Sequence, residues 1–149
     1  NIMVGWGEDP QNFYSNFGIG NWFSGQPDES IWVGYNNGSN TIFYEAGGHS
    51  KYNDNNWHHA VATIGPNNHR IYVDGSQVTT VFQNGADTDS VTNIFRESST
   101  VKVFVGARPY QGGSGFFNGN IPQVRIYDRI LTATEVSQNF NATKSKYGL

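Results

Sequence analysis

The chain has 149 residues, of which only 14% are charged, and its formal net charge at pH 7 is −3. Its nine Lys and Arg residues are scattered, which argues against nucleic-acid binding, because a phosphate backbone calls for clustered cations. The sequence has no cysteine, which excludes disulfides and thiol chemistry, and no stretch approaches the about 20 apolar residues of a membrane-spanning helix.

Short apolar or alternating runs recur along most of the chain and are separated by clusters of Gly, Asn, Pro and Asp. This pattern is typical of strands joined by turns. The predicted strands cover residues 2–6, 17–23, 30–35, 41–45, 57–64, 69–73, 77–82, 101–107 and 116–127. A chain of this length fits one domain, and so many short strands predict an all-β sandwich or barrel.

The segment NNWHHAVATI, residues 55–64, places two adjacent histidines beside a tryptophan. Side chains alternate along a strand, so Trp57 and His59 are expected on one face and His58 on the other. Histidines on opposite faces cannot bind one metal ion together. We therefore expect a half-buried strand whose histidines form local hydrogen bonds.

The clearest turn lies in the segment RIYVDGSQV, residues 70–78. Asp74 and Gly75 supply the positive φ angles that a two-residue hairpin turn requires. The sequence therefore predicts a β-hairpin at this point.

One short helix is predicted near the end of the chain, over about residues 133–141. Thr132 is a natural N-cap, and Glu135 follows three residues later to complete a capping box. Leu131 and Val136 have the spacing of a hydrophobic staple. The polar residues after the helix are expected to lie along the surface.

Four segments in order carry a resemblance to a known family: NNWHHAVATI, HRIYVDGSQV, VFVGARP and GFFNGNIPQVRIYDRILTATEVSQNFNA. Together they resemble the laminin G-like modules of the concanavalin A-like jelly-roll superfamily, over residues 55–141. In that family a Trp-His-His-Val strand precedes a Tyr-Val-Asp-Gly hairpin, and a Phe-x-Gly-x-Ile strand leads into the terminal helix. The resemblance implies an antiparallel jelly-roll β-sandwich with one short C-terminal helix.

The resemblance also implies structural roles for particular residues. Trp57 is expected in the core between the sheets, with the histidines beside it. Gly106 and Gly119 are expected where chains pass too closely for a side chain. The last strand is expected to supply apolar contacts through Phe116, Ile121, Val124 and Ile126.

Modules of this family usually begin with strands upstream of residues 2–6, and here Asn1 comes first. We therefore expect residues 1–149 to form a single jelly-roll domain that lacks N-terminal strands. A longer chain or another subunit would supply those strands by edge pairing.

The ending NFNATKSKYGL resembles the C-termini of jelly-roll domains in structural proteins of marine tailed phages. This second resemblance covers few residues. It implies a virion protein as the source.

The acidic residues do not form the pattern of a glycosidase. Such an enzyme needs two carboxylates facing each other across a cleft at roughly 5 to 10 Å, and this chain has no Glu-x-Asp-x-x-Glu strand. Its acidic residues lie mostly in predicted turns, and Glu135 belongs to a helix cap. We therefore expect no enzymatic activity.

Calcium is the one cofactor that we consider. The resemblance implies a calcium site at the rim of the sandwich, and two stretches supply carboxylate and amide oxygens: YNDNN, residues 52–56, and GADTDS, residues 85–90. Asp87 and Asp89 are the preferred ligands. The alternative is that both clusters are ordinary turns, because Asn and Asp favour turns by themselves.

Sugar binding needs exposed aromatic faces near amides and charged groups. The aromatic candidates are Trp22, Trp32, Tyr35, Tyr52 and Tyr110, and the polar candidates are Asn21, Asn36, Asn37, Asn53 and Arg108. Core packing is the alternative for each aromatic except Tyr110, because the segment RPYQGGSG is a Pro- and Gly-rich loop with little core to enter.

The sequence thus favours a non-enzymatic module of a virion or cell-surface structural protein, in surface decoration, adhesion or glycan binding through rim loops. The expected partners are glycans or a surface protein shell, with self-association or a larger assembly, and neither nucleic acid nor membrane. The alternative is a carbohydrate-binding module of a secreted polysaccharide-degrading enzyme.

Overall fold

A computed structural model of the chain describes residues 2–8, 13–19, 30–37, 41–46, 52–65, 67–84, 102–107 and 116–149. In these residues nine strands precede one helix. The strands are β1 (Ile2–Glu8), β2 (Phe13–Ile19), β3 (Ile31–Asn37), β4 (Thr41–Ala46), β5 (Ala60–Gly65), β6 (Asn68–Val73), β7 (Ser76–Val78), β8 (Thr80–Asn84) and β9 (Lys102–Val105), and the helix is α1 (Ala133–Tyr147).

The strands form two antiparallel sheets, as the all-β prediction requires. The larger sheet has the order β8-β4-β3-β2-β1-β9, and the smaller has the order β5-β6-β7. The predicted strand 77–82 is wrong in one respect, because it is two strands in different sheets. The chain leaves β7 after Val78 and enters β8 at Thr80, so a single residue carries it from one sheet to the other.

The core lies between the two sheets. Ile31, Val33 and Tyr35 of β3 pack with Ile71 and Val73 of β6, and all five are buried. The spacing of two in each strand places these side chains on one face, as the pleat dictates. This contact establishes the sandwich that the sequence predicts.

The β6–β7 hairpin is confirmed in the predicted position. Asp74 and Gly75 have φ angles of 51° and 80°, and Val73 pairs with Ser76 across the turn. The two positive φ angles are those of a two-residue turn that matches the strand twist.

Helix α1 begins where the capping signals predict. The Thr132 side chain accepts a hydrogen bond from the Glu135 N–H, and the Glu135 side chain accepts one from the Thr132 N–H. Val136 and Leu131 then pack with Tyr72 of β6 on the outer face of the smaller sheet. None of the helices in the described part of the chain is long and apolar enough to span a bilayer.

The helix runs past its predicted end at residue 141. It ends at Gly148, which has a φ of 73° and donates its N–H to the Lys144 carbonyl. Nothing in the intervening segment breaks a helix, and two lysines in its last turn favour the negative end of the helix dipole. The polar composition after residue 141 therefore indicated exposure and not the end of the helix.

The prediction that Trp57 lies in the core is wrong. Strand β5 begins at Ala60, so Trp57 precedes the strand, and its side chain is 38% exposed. The indole lies against Tyr147 of α1, with ring centroids 5.5 Å apart. The alternation argument therefore does not apply to it.

The predicted strand 116–127 is also wrong, because the structure places no strand there. Phe116 is 67% exposed, and Val124 and Ile126 are exposed as well, so these residues do not supply the expected core contacts. Ile121 is partly buried. Pro122 has no N–H to donate to a strand ladder, which weakens a strand at its centre.

The two glycines of the resemblance behave differently from each other. A Cβ atom at Gly119 would lie 2.7 Å from the Phe117 ring, so this glycine does occupy a close approach. Gly106 has a φ of 77°, and no atom of the described residues lies within 4 Å of a Cβ placed there. The described residues therefore show a requirement for the backbone conformation at Gly106, and the close passage expected there stays a prediction.

Candidate functional site

A polar group of the described residues joins His58 with two aspartates. The His58 Nδ1 atom is 2.8 Å from the Asp74 Oδ2 atom, and its Nε2 atom is 3.1 Å from the Asp54 Oδ1 atom. Asp54 belongs to the loop before β5, whereas Asp74 belongs to the β6–β7 turn. The imidazole therefore connects a loop to a hairpin that is distant in sequence.

Asp74 joins the same two segments through the main chain. Its Oδ1 atom accepts a hydrogen bond from the His59 N–H at 2.9 Å. Its own N–H donates to the His59 carbonyl, also at 2.9 Å. The start of β5 is thus held to the hairpin turn by three hydrogen bonds that involve one residue.

Asp54 organises the loop before β5. Its carboxylate accepts hydrogen bonds from the Asn56 side chain at 3.0 Å and from the Asn56 N–H at 2.9 Å. These two bonds, followed by the bond with His58, lower the pKa of Asp54 to about 2. The YNDNN segment is therefore a turn stabilised by its own side chains.

The two histidines have opposite electrostatic surroundings. Burial acts to lower the pKa of His58, but the hydrogen bonds with Asp74 and Asp54 outweigh it and raise that pKa above its ordinary value of 6.5. Burial lowers the pKa of His59, and the charge of Asp74 opposes this only in part. His58 is therefore the histidine that holds a proton more readily.

The histidine side chains contact different neighbours, although both residues precede β5 and the alternation argument does not apply to them. The His58 ring lies edge-on to Tyr52, with centroids 5.5 Å apart, and the His59 ring lies 5.9 Å from Phe140 of α1. The expectation of local hydrogen bonds is confirmed for His58. Across the ranges that the structure describes, no group of three or more His, Cys, Asp or Glu side chains is placed to hold a metal ion.

A cleft of about 650 Å³ lies between the sheets and the extended segment that precedes α1. One part of its wall is apolar and includes Phe17, Ile31 and Val33 from the larger sheet. Other lining residues come from the loop before β5 and from the last turn of α1, including Asn56, Trp57 and Tyr147. Polar and aromatic groups therefore meet at this end of the cleft.

The aromatic pair Trp57 and Tyr147 is a ring surface that sequence reasoning missed. The indole and the phenol rings are tilted by 46°, and the Lys146 ammonium lies 5.4 Å from the Tyr147 ring centroid. Asn53, Asn55 and Asn56 come just before Trp57 and are exposed. The clustered asparagines could have indicated that Trp57 lies in an exposed loop. Its contact with Tyr147 could not be predicted, because the helix was expected to end at residue 141.

Few of the predicted sugar-binding residues can be located. Trp32 is only 3% exposed in β3, and Tyr35 is 3% exposed, so the prediction that they bind glycans is wrong. Their places on the buried central strand explain this result. Tyr52 packs against the core, and Asn53 is exposed as a ligand-binding residue would be.

The remaining candidates lie outside the residues that the structure describes. They are Tyr110, Arg108, Trp22 and Asn21 for sugars and Asp87 and Asp89 for calcium. The side chains of Asn36 and Asn37 are also outside the description. These assignments stay predictions.

A family model, laminin G type 3, described as the concanavalin A-like lectin/glucanases superfamily, matches residues 3–137. The chain belongs to the concanavalin A-like lectin/glucanase superfamily. The jelly-roll prediction is therefore confirmed by the family as well as by the two sheets. This superfamily includes both binding modules and enzymes by its description, so membership leaves the activity open.

A comparison with curated protein sequences gave no significant match. Among solved structures, the chain is similar to that of an S-layer domain-containing protein (residues 221–444) from Clostridium thermocellum ATCC 27405. The identity is 21% and the TM-score is 0.48, over 91% of this chain and 60% of that chain. The chain thus spans less than two thirds of that structure.

Proposed function

We propose that the chain is a non-enzymatic module of a surface structural protein and that it acts by binding glycans. The sandwich provides a rigid body, and polar loops at its ends provide the contacts. Surface adhesion and surface decoration are the roles that follow from such binding.

The hydrogen bonding of three described carboxylates is the observation that carries this proposal. Asp54 is bonded to Asn56 and His58, Asp74 to His58 and His59, and Glu135 to Thr132 and Arg129. A glycosidase needs one carboxyl group to donate a proton and another to attack or to activate water. Carboxylates that hold a turn, a hairpin and a helix cap are poorly placed to do either.

Composition supports the extracellular part of the proposal. A chain with only 14% charged residues and 15% aromatic residues is rich in amides, hydroxyls and rings. Such groups suit contacts with uncharged sugars, whose hydroxyls need hydrogen-bond partners and whose C–H faces pack on rings. The surface could belong to a cell or to a virion, and the resemblance of the C-terminus to phage domains favours the virion.

The proposal includes the loop residues that the sequence singles out. Tyr110, Arg108 and Trp22 are proposed as additional glycan contacts, and Asp87 with Asp89 as calcium ligands. Binding that disappears with chelator and returns with calcium would support the metal assignment. Self-association is proposed as well, and light scattering on the purified chain would measure it.

A glycan array probed with the purified chain tests the proposed function. The expected result is binding to one family of glycans, together with no release of reducing ends from the same glycans in solution. Hydrolysis of a bound glycan would replace the binding proposal by the glucanase activity of the superfamily. A chain that binds no glycan would remove the proposal and favour a purely structural role.

A further inference from the structure

Trp57 presents part of a large apolar ring to solvent. Its side chain is 38% exposed, although an indole placed between the sheets would be buried. Its contact is with Tyr147, whose ring lies at 5.5 Å and a tilt of 46°. The two rings together form an exposed apolar surface at one end of the cleft.

The loop that carries Trp57 is held in place on both sides. Asp54 accepts two hydrogen bonds from Asn56 and contacts His58, so the residues on either side of Trp57 are fixed to one carboxylate. His58 is in turn bonded to Asp74 of the hairpin turn. A surface that is already ordered loses little conformational entropy when a ligand binds.

The second ring is held by the end of α1. Tyr147 is the last residue of the helix, and Gly148 caps it through a hydrogen bond to the Lys144 carbonyl. Lys146 lies 5.4 Å from the Tyr147 ring centroid, which is a cation–π distance. Both rings therefore sit on segments whose conformation is set before any ligand arrives.

We propose that Trp57 and Tyr147, with the amides of Asn53, Asn55 and Asn56, form a binding subsite for an uncharged pyranose ring. This inference rests on the proposed glycan-binding function and gives it a location. The C–H face of the sugar packs on the indole, and its hydroxyls bond to the exposed amides. Asn56 donates through its Nδ2 atom to Asp54, which leaves its amide oxygen to accept from a hydroxyl.

An uncharged sugar fits the local charges better than an acidic one. Two charged groups contact residues of the subsite, the carboxylate of Asp54 at Asn56 and the ammonium of Lys146 at Tyr147, and they have opposite signs. Asp54 adjoins the asparagines and would repel a sugar carboxylate, whereas Lys146 is engaged with the Tyr147 ring. The part of the cleft wall that Phe17, Ile31 and Val33 form is apolar and offers a hydroxyl no side-chain partner, so we place the sugar at the aromatic end.

The experiment compares wild-type protein with Trp57→Ala and Trp57→Phe on the array and by titration with a glycan that the array identifies. Loss of the stacked ring is expected to weaken binding about tenfold in Trp57→Ala, and Trp57→Phe is expected to keep most of it. Phe116→Ala is the matched control, because Phe116 is an exposed aromatic that does not line the cleft. Circular dichroism and thermal unfolding check that each variant is folded.

A measurement on wild-type protein avoids any dependence on the fold of a variant. The indole N–H resonance of Trp57 is assigned in a ¹⁵N spectrum by its disappearance in Trp57→Phe, and the glycan is then titrated. The expected result is that this resonance shifts more than the other indole resonances. An unmoved Trp57 signal, or unchanged affinity in Trp57→Ala, would overturn the subsite while glycan binding stands. A wild-type chain that binds no glycan would overturn the proposed function and this subsite with it.

Discussion

Substitution of Gly75 by alanine tests how closely α1 is packed on the β6–β7 hairpin. A Cβ atom at Gly75 would lie 2.8 Å from Phe140 Cδ1 and 3.1 Å from both Phe140 Cβ and Cγ. Carbon atoms in contact are normally about 3.5 to 4.0 Å apart, so the helix or the hairpin would have to move. The substitution also places a side chain at a φ of 80°.

The expected loss has two parts. A non-glycine residue in the left-handed region costs about 1–2 kcal/mol, and overpacking of a tight contact costs typically 1–3 kcal/mol. Gly75→Ala is therefore expected to lower the free energy of unfolding by about 2–5 kcal/mol. Gly106→Ala is the matched control, since its φ is 77° and no atom of the described residues lies within 4 Å of its Cβ position.

Urea unfolding at constant pH measures both variants, and the difference between them isolates the contact with Phe140. A double-mutant cycle with Phe140→Ala removes the two ring atoms from the contact. The cost of Gly75→Ala should then fall toward the Gly106→Ala value, with a coupling of about 1–2 kcal/mol. Equal costs for the two glycine variants in the wild-type background would refute the packing of the helix on the turn.

Three further predictions concern the helix cap, the bridging histidine and the core. Thr132→Ala should lower the free energy of unfolding by about 1 kcal/mol through loss of the capping box, whereas Thr134→Ala within the first turn should change it little. The pKa of His58 is raised in the folded state, so its stabilising contribution is complete below pH 6.5 and is lost as the pH rises through the raised value. The stability difference between wild type and His58→Gln should accordingly be larger at acidic than at alkaline pH in chemical unfolding, and a larger difference at alkaline pH would contradict the bridge. Ile71→Ala should cost about 2–5 kcal/mol because the side chain is fully buried, and Val81→Ala, at an exposed position, should be nearly neutral by the same measurement.

The features that the sequence predicts correctly depend on residues close together in the chain. The Asp74-Gly75 turn and the Thr132 capping box each involve no more than four consecutive residues, and the backbone responds to them directly. The alternation of buried side chains along β3 and β6 is also predicted correctly, because the pleat of each strand by itself produces it. The fold class follows from these local features taken together.

The errors concern burial, which depends on the other elements that a segment meets. Trp57 looks like a core residue by its composition and position, but the strand begins three residues later and the indole meets Tyr147 at the far end of the chain. The segment 116–127 has apolar residues but also Pro122. The sequence of one segment does not show whether another strand will pair with it. A hydrophobic pattern therefore indicates which faces are apolar. It does not indicate which of those faces another element covers in the folded protein.

The candidate site was predictable only in part. Local hydrogen bonding by the histidines was expected, but Asp74 was assigned to the turn alone. The antiparallel pairing of β5 with β6, in which Ala60 faces Val73, brings the residues on either side of that pair together. Strand register was thus the signal that would have connected His58 with Asp74.

Asp74 also limits what protein engineering can do with this hairpin. Asn-Gly is among the preferred sequences for such a turn, so a designer who considered the turn alone would accept asparagine there. Asp74 uses a different oxygen for each of its bonds with His58 and His59, and asparagine in the same orientation would place a donating nitrogen at one of those two positions, facing either the His59 N–H or a protonated His58. The residue at position 74 is therefore determined by the strand beside the turn as well as by the turn. A consensus substitution there would keep a favourable turn but would loosen the start of β5.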